Sequence, residues 1–317
     1  MTQSVVEQPE TTPAATPARI EARTPLQLAW LRLRRDRVAL ASTVFIVVLL
    51  LVAIFAPQLS HLIGQDPYNQ DRGPHGLTPD GVPVGPSAHH WLGTDQLGRD
   101  VLSRIMYGAR VSLEVGLAAT AVAVLIGLVI GLLAGFYGGK VDTLLSRFMD
   151  VILSFPFILT ALALIAVTGP SLKITIIVIA FFSWSNVGRI VRGQVLSLRE
   201  KEFVEAARSL GAGDVRIMVK DILPNLVAPV IVYATLLIPV NTVLEATLSY
   251  LGLSVPVPSA TWGNMLSAAS AGSLYTVAWW YLVFPVLALL ATTLAFNLLG
   301  DGLRDALDPR ADRVLSR

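Results

Sequence analysis

The chain has 317 residues and a formal charge of +2; only 15% of it is charged against 54% hydrophobic, and its mean hydropathy is +0.64. A water-soluble domain carries about 25% charged residues, so the deficit points to lipid as the solvent for much of the chain. The small net charge excludes the broad basic field that nucleic-acid binding needs, and the lack of cysteine excludes disulfides, thiolate metal sites and cysteine nucleophiles.

Residues 1–37 are polar, with Pro and Thr early and "LRLRRDR" at the end. No apolar core lies near the start, so the segment does not read as a signal peptide; a partly disordered tail is expected. A spanning helix needs about 20 apolar residues, and six stretches qualify: 38–59, 108–136, 145–168, 173–192, 226–251 and 278–300. Ser183, Ser185 and Asn186 dilute the fourth. The arginines at 32, 34, 35 and 37 place the amino-terminal flank on the cytoplasmic side. Six spans return the tail 301–317 to that side, leave the loop 192–225 with it, and put the loop 60–107 outside. The expectation is an all-α integral membrane protein with six transmembrane helices and both termini cytoplasmic. Its organisation is a tail (1–37), a first span (38–59), an external loop (60–107), a membrane core (108–300) and a second tail (301–317).

The external loop has five Asp, three Arg and no Lys. Asp95–Arg99 and Asp100–Arg104 are i,i+4 pairs with the acid first, the better order for a helix, so residues 95–107 read as a short surface helix. All four histidines (61, 75, 89 and 90) lie in this loop. Their spacing is irregular, and no metal site is assigned to them. In the second span Ala119, Ala123, Gly127, Gly131, Gly135 and Gly139 recur every four residues, a smooth stripe for close helix approach.

Between the fourth and fifth spans runs "LREKEFVEAARSLGAGDVRIMVKDILPN". Phe203, Ala206, Ala207 and Leu210 share one helical face. Gly211-Ala212-Gly213 breaks the helix, since glycine readily takes the left-handed conformation. Asp214 reads as the N-cap of a second short helix, which Pro224 ends. In the fifth span Asn241 and Glu245 lie one turn apart. Polar groups inside a membrane are costly, so the pair reads either as interhelical hydrogen bonding or as part of a translocation path. Asp150 and Glu114 sit at span ends. Trp262, Gly263 and Asn264 fall in the second long external loop, as a gate or a docking edge.

The charged loop resembles the cytoplasmic signature of permease subunits of ATP-binding cassette importers: E-A-A, three residues, G, nine residues, I-x-L-P. Glu205, Ala206, Ala207, Gly211, Leu223 and Pro224 match it; Asp221 stands in place of the isoleucine, with Ile222 beside it. The resemblance implies a type I importer transmembrane domain whose loop couples to separate ATPases. The chain has no P-loop of its own: Gly139-Lys140 comes nearest, but Ala134 and Val141 break the pattern. Further segments, "WLGTDQLGRDVLSRIMYGARVS", "MDVILSFPFILTALAL", "EATLSYLGL", "WGNML" and "LAFNLLGDGLRDALDPR", resemble the dipeptide, oligopeptide and nickel branch, and in particular its second permease subunit. This resemblance implies a heterodimer with a homologous permease, two ATP-binding subunits, an extracytoplasmic solute-binding protein and residence in the cytoplasmic membrane. It also implies a short peptide as substrate, with nickel or another small solute as the alternative. No cofactor is expected. An intramembrane enzyme is disfavoured, because the spans hold no H-E-x-x-H, no G-x-S-x-G and no histidine. An autonomous carrier or channel would need no ATPase.

Overall fold

The computed structural model describes residues 31–307, which are mostly helical outside the long segment between Leu62 and Val101. Extended segments pair only as two isolated bridges among the described residues, Leu77 with Pro83 and Thr94 with Asp100. The first span, α1 (Arg37–Ile54), is capped by Asp36, whose carboxylate accepts from the backbone N–H of Val38 at 2.8 Å and Ala39 at 3.1 Å. A short α2 (Ala56–Leu62) follows, with Pro57 in its first turn, where a missing N–H costs nothing.

The second span, α3 (Val101–Tyr137), has 37 residues. At 1.5 Å per residue it is about 55 Å long, well beyond a hydrocarbon core of about 30 Å. It absorbs most of the surface helix expected at 95–107. Asp100 caps α3 by accepting from Ser103 N–H at 2.7 Å, and residues 95–99 form a turn closed by Asp95 N–H to Arg99 C=O at 2.9 Å.

The third span is not one helix. α4 (Gly139–Ser154) and α5 (Phe157–Thr168) meet at 83°. Pro156 explains the break: it has no N–H to donate and pushes Phe155 out of the helical region, to φ −79° and ψ 129°. With 12 residues α5 is about 18 Å long, short of a full crossing. The remaining helices are α6 (Leu172–Leu198), capped by Ser171; α7 (Glu202–Ser209); α8 (Asp214–Tyr250); α9 (Trp262–Ser270); and α10 (Trp279–Leu307). Five helices of the described residues are long and apolar enough to cross a membrane, and six crossings result if the bent pair counts as one.

α3 and α6 form the most extensive helix pair, and the small-residue stripe makes it possible. A Cβ on Gly127 would lie 2.5 Å from Val187 Cβ, on Gly131 2.5 Å from the Gly188 carbonyl oxygen, and on Gly135 2.7 Å from Val195 Cβ. The stripe is therefore packing within the chain. It ends at Gly135, because Gly138 terminates α3 and Gly139 opens the next helix with no atom near its Cβ position. Gly131→Ala should lower stability by about 1–3 kcal/mol, as overpacking against backbone does. Gly193→Ala, where a Cβ meets nothing within 4 Å, should raise stability by about 0.5–1 kcal/mol through helix propensity; melting of the two purified variants checks the contrast.

Candidate functional site

The charged loop folds into a compact unit at one end of the bundle, here the motif end. α7 carries Glu202 and Glu205 in its first turn and Arg208 in its last, the charge order that a helix dipole favours. Val204 is fully buried beneath it, as are Ile217 and Ile222 at the start of α8, and Ala207 and Ala212 pack against the same cluster. The turn between the helices is Gly211, at φ +82°. Leu210 N–H donates to Ala206 C=O at 3.0 Å, Gly211 N–H to Arg208 C=O at 2.9 Å, and Ala212 N–H to Ala207 C=O at 3.0 Å. A side chain there would meet no atom but would be strained by the backbone alone.

Two sequence expectations change here. Asp214 is the first helical residue, not the cap; Gly213 holds the cap position and no side chain caps the helix. Pro224 does not end a short helix. Residues Ile217–Ile222 form a π turn, in which Leu223 N–H reaches back to Met218 C=O. The wide turn takes up the proline, which then sits in the first turn of an α-helix that runs to Tyr250 and holds two further prolines, Pro229 and Pro239. The turn at Gly211 is thus joined to the fifth span by one continuous 37-residue helix. The register also accounts for the motif's departure: Ile222 is fully buried and fills the apolar position, while Asp221 is half-buried beside it.

The motif residues divide by environment. Ala207 and Leu223 are half-buried and build the unit; Glu205, Ala206, Gly211 and Pro224 are exposed. Phe203, Leu210, Val215 and Val219 are exposed too, Leu210 to 88%. Of the apolar face read from the sequence, Phe203, Ala206 and Leu210 therefore point outward and only Ala207 packs inward, beside Val204, the inward contact that the sequence reading missed. Arg199 Nη1 donates to Gly135 C=O at 3.0 Å, and Arg208 lies 5.7 Å above the Phe136 ring, so the unit is fastened to the end of α3. Nearby, Arg192 holds the Asp142 carboxylate through both Nε and Nη2, the latter at 2.7 Å, and Arg189 meets Asp150 at 2.7 Å. These arginine pairs fasten α6 to α4.

Asn241 and Glu245 face the bundle interior, each with no exposed surface. Ser183 Oγ donates to Asn241 Oδ1 at 2.8 Å, and Asn241 Nδ2 donates to Thr120 Oγ1 at 2.9 Å. Ser112 Oγ donates to Glu245 Oε2 at 2.8 Å, and Ser254 Oγ to Oε1 at 3.1 Å. The pair ties α8 to α3, α6 and the loop beyond α8, the interhelical alternative; neither side chain meets open space.

At the opposite end, the expected Asp95–Arg99 pair forms, and the expected Asp100–Arg104 pair does not. Asp95, fully buried, accepts from Leu97 and Arg99 N–H and from Arg99 Nε at 2.7 Å, with Arg104 Nε 3.4 Å away. Asp100 pairs instead with His90, its Oδ1 3.0 Å from Nδ1. Trp262 is also fully buried. Its Nε1 donates to Ile105 C=O at 3.1 Å and its ring fills the space above Gly108, so it anchors α9 on α3 and presents no docking edge. No group of three or more His, Asp or Glu is placed to hold a metal ion among the described residues.

Residues 127–313 match the family profile described as the binding-protein-dependent transport system inner membrane component. The chain belongs to this family. Residues 24–79 match a second profile, the N-terminal transmembrane domain of oligopeptide transport permease C. The glutathione transport system permease proteins GsiD of Shigella dysenteriae serotype 1 (strain Sd197) and Escherichia coli O157:H7 are each 42% identical to it over 290 residues, covering 92% of both chains. The protein is accordingly an inner-membrane permease subunit of an ATP-binding cassette importer and not an enzyme. Such a subunit works with a further permease, ATPases and a binding protein.

Within this permease subunit, Asp95→Ala should cost about 3–5 kcal/mol, because it leaves two buried arginines without their counter-charge. Glu245→Ala should cost about 1–3 kcal/mol through two orphaned hydroxyls, and Glu245→Gln, which keeps an acceptor, should cost less. Denaturation of the purified variants orders the three.

Proposed function

We propose that this subunit carries short peptides into the cell, paired with a distinct homologous permease, and that ATP-binding subunits dock on the motif end through Glu205, Ala206, Ala207, Gly211, Leu223 and Pro224. The single observation that carries the coupling role is the geometry of the loop: a compact unit, apolar on its outer face, joined to the fifth span through the Gly211 turn and α8. A motion imposed on α7 reaches the fifth span through the Gly211 turn and α8, which no loop interrupts down to Tyr250. Alternating access then becomes rocking of packed helices driven from the motif end.

This reading puts the motif end and both termini in the cytoplasm, and the solute-binding protein at the opposite end. Energy comes from the two ATP-binding partners. The peptide assignment draws on relatives named for glutathione transport, since glutathione is itself a tripeptide, and on the oligopeptide permease profile over the first span.

Uptake of labelled dipeptide, longer peptide, glutathione and nickel, in cells lacking this chain and after its restoration, tests the proposal. Recovery of a peptide supports it; recovery of nickel alone replaces the solute and keeps the mechanism. Gly211→Trp should leave the chain in the membrane at normal abundance and reduce uptake to background, because it strains the turn and places a bulky side chain on the docking face. Normal uptake by that variant would remove the coupling assignment.

A further inference from the structure

The polar residues that the sequence offered for a path, Asn241 and Glu245, are sealed between helices, and the open space lies elsewhere. In the half of the molecule next to the motif end, a groove of about 600 Å3 runs between α6, α8 and α10, lined by Ile190, Gln194, Pro229, Tyr233, Leu236 and Arg304 among others. A smaller pocket adjoins it between α6 and α8 and shares Gln194 and Tyr233.

The lining is apolar except for three groups: an amide, a phenol and a guanidinium. Among the described residues none of these three side chains has a hydrogen-bond or ion-pair partner within the chain; Asp301 and Asp305, close to Arg304 in sequence, are exposed and do not pair with it. All three groups can donate hydrogen bonds, and the guanidinium can only donate. An apolar groove with unpaired donors and a positive charge fits an anionic solute with an organic body. A guanidinium matches a carboxylate in both charge and shape.

We propose that this groove is the inner part of the translocation path on this chain, and that Arg304, with Gln194 and Tyr233, receives the carboxylate of a departing peptide. The proposal rests on the importer reading and on the motif end facing the cytoplasm. An exposed guanidinium holds a carboxylate only weakly because water screens it, which suits a site of exit. The carboxylate is drawn out of the bundle and then lost to solvent.

The natural absence of cysteine makes a direct test available. Gln194→Cys is introduced and the full complex is reconstituted in liposomes. The rates of modification of this thiol by an anionic and by a cationic methanethiosulfonate are then measured, each divided by its rate with a free thiol in solution. The anionic reagent should be favoured by roughly tenfold, the low end of focusing in a charged cleft. The preference should vanish with Arg304→Gln and persist with Arg304→Lys. The labelled dipeptide should slow the modification, and Arg304→Gln should slow dipeptide uptake while the ATPase subunits remain bound. A protected thiol or equal normalised rates would overturn the proposal. So would a thiol reactive in phosphatidylcholine liposomes and blocked in phosphatidylglycerol ones, which would assign the groove to a lipid phosphate. If the unmodified complex takes up no peptide while the Arg304-dependent preference holds, the anion path stands and the peptide reading falls.

Discussion

The bundle depends on how closely α3 and α6 approach. Lipid tails are as apolar as leucine, so no hydrophobic drive pulls two helices together inside a bilayer, and contact must come from packing and polar ties. Gly127, Gly131 and Gly135 remove the side chains that would keep the backbones apart, and Val187, Val191 and Val195 fill the space left. A β-branched residue restricted to few rotamers suits this role, since it loses little freedom when it packs.

Both ends of the molecule are built outward from that pair. At the motif end, Arg199 and Arg208 reach the last turn of α3, so the position of the charged loop is fixed by where α3 stops. At the other end, the length of α3 beyond the membrane lets Trp262 and the Asp95 cluster pack on it. The fifth span joins the pair through Ser183 and Thr120, which share the two ends of one amide at Asn241. A polar side chain in the core of a membrane bundle thus acts as a staple between three helices.

Much of this was legible in the sequence. Span number, the small-residue stripe and the Gly211 turn each depend on local composition and spacing, which a one-dimensional reading captures. The misreadings were of two kinds. Pro156 breaks its span, Pro224 follows a π turn, and Pro229, Pro239 and Pro285 lie inside helices, and nothing in residue type separates these cases. Asp95, Asp100 and Trp262 were assigned to a wetted surface because they fall in a loop, yet contacts distant in sequence bury them. Asn241 and Glu245 were recognised as exceptional for the right reason, the cost of polarity in lipid. That cost is met by hydroxyl partners on three other segments, and only their placement in space distinguishes a staple from a path.

The π turn at Ile217–Ile222 has a consequence for how this chain can vary. A π turn holds one residue more than the α turn it replaces, so it is the footprint of an insertion kept inside a helix. The π turn spreads nearly the same rotation over one residue more, so removing one residue of the six would let the helix revert to regular α geometry with both flanks close to their present bearing. Regularising the turn with all six residues kept would instead rotate the Gly211 turn and α7 by about 100° around the axis of α8 while every side chain of the fifth span stayed in place. The π turn therefore holds the docking surface at its compass bearing in spite of the extra residue, and losing the turn would be a graver change than losing one of its residues.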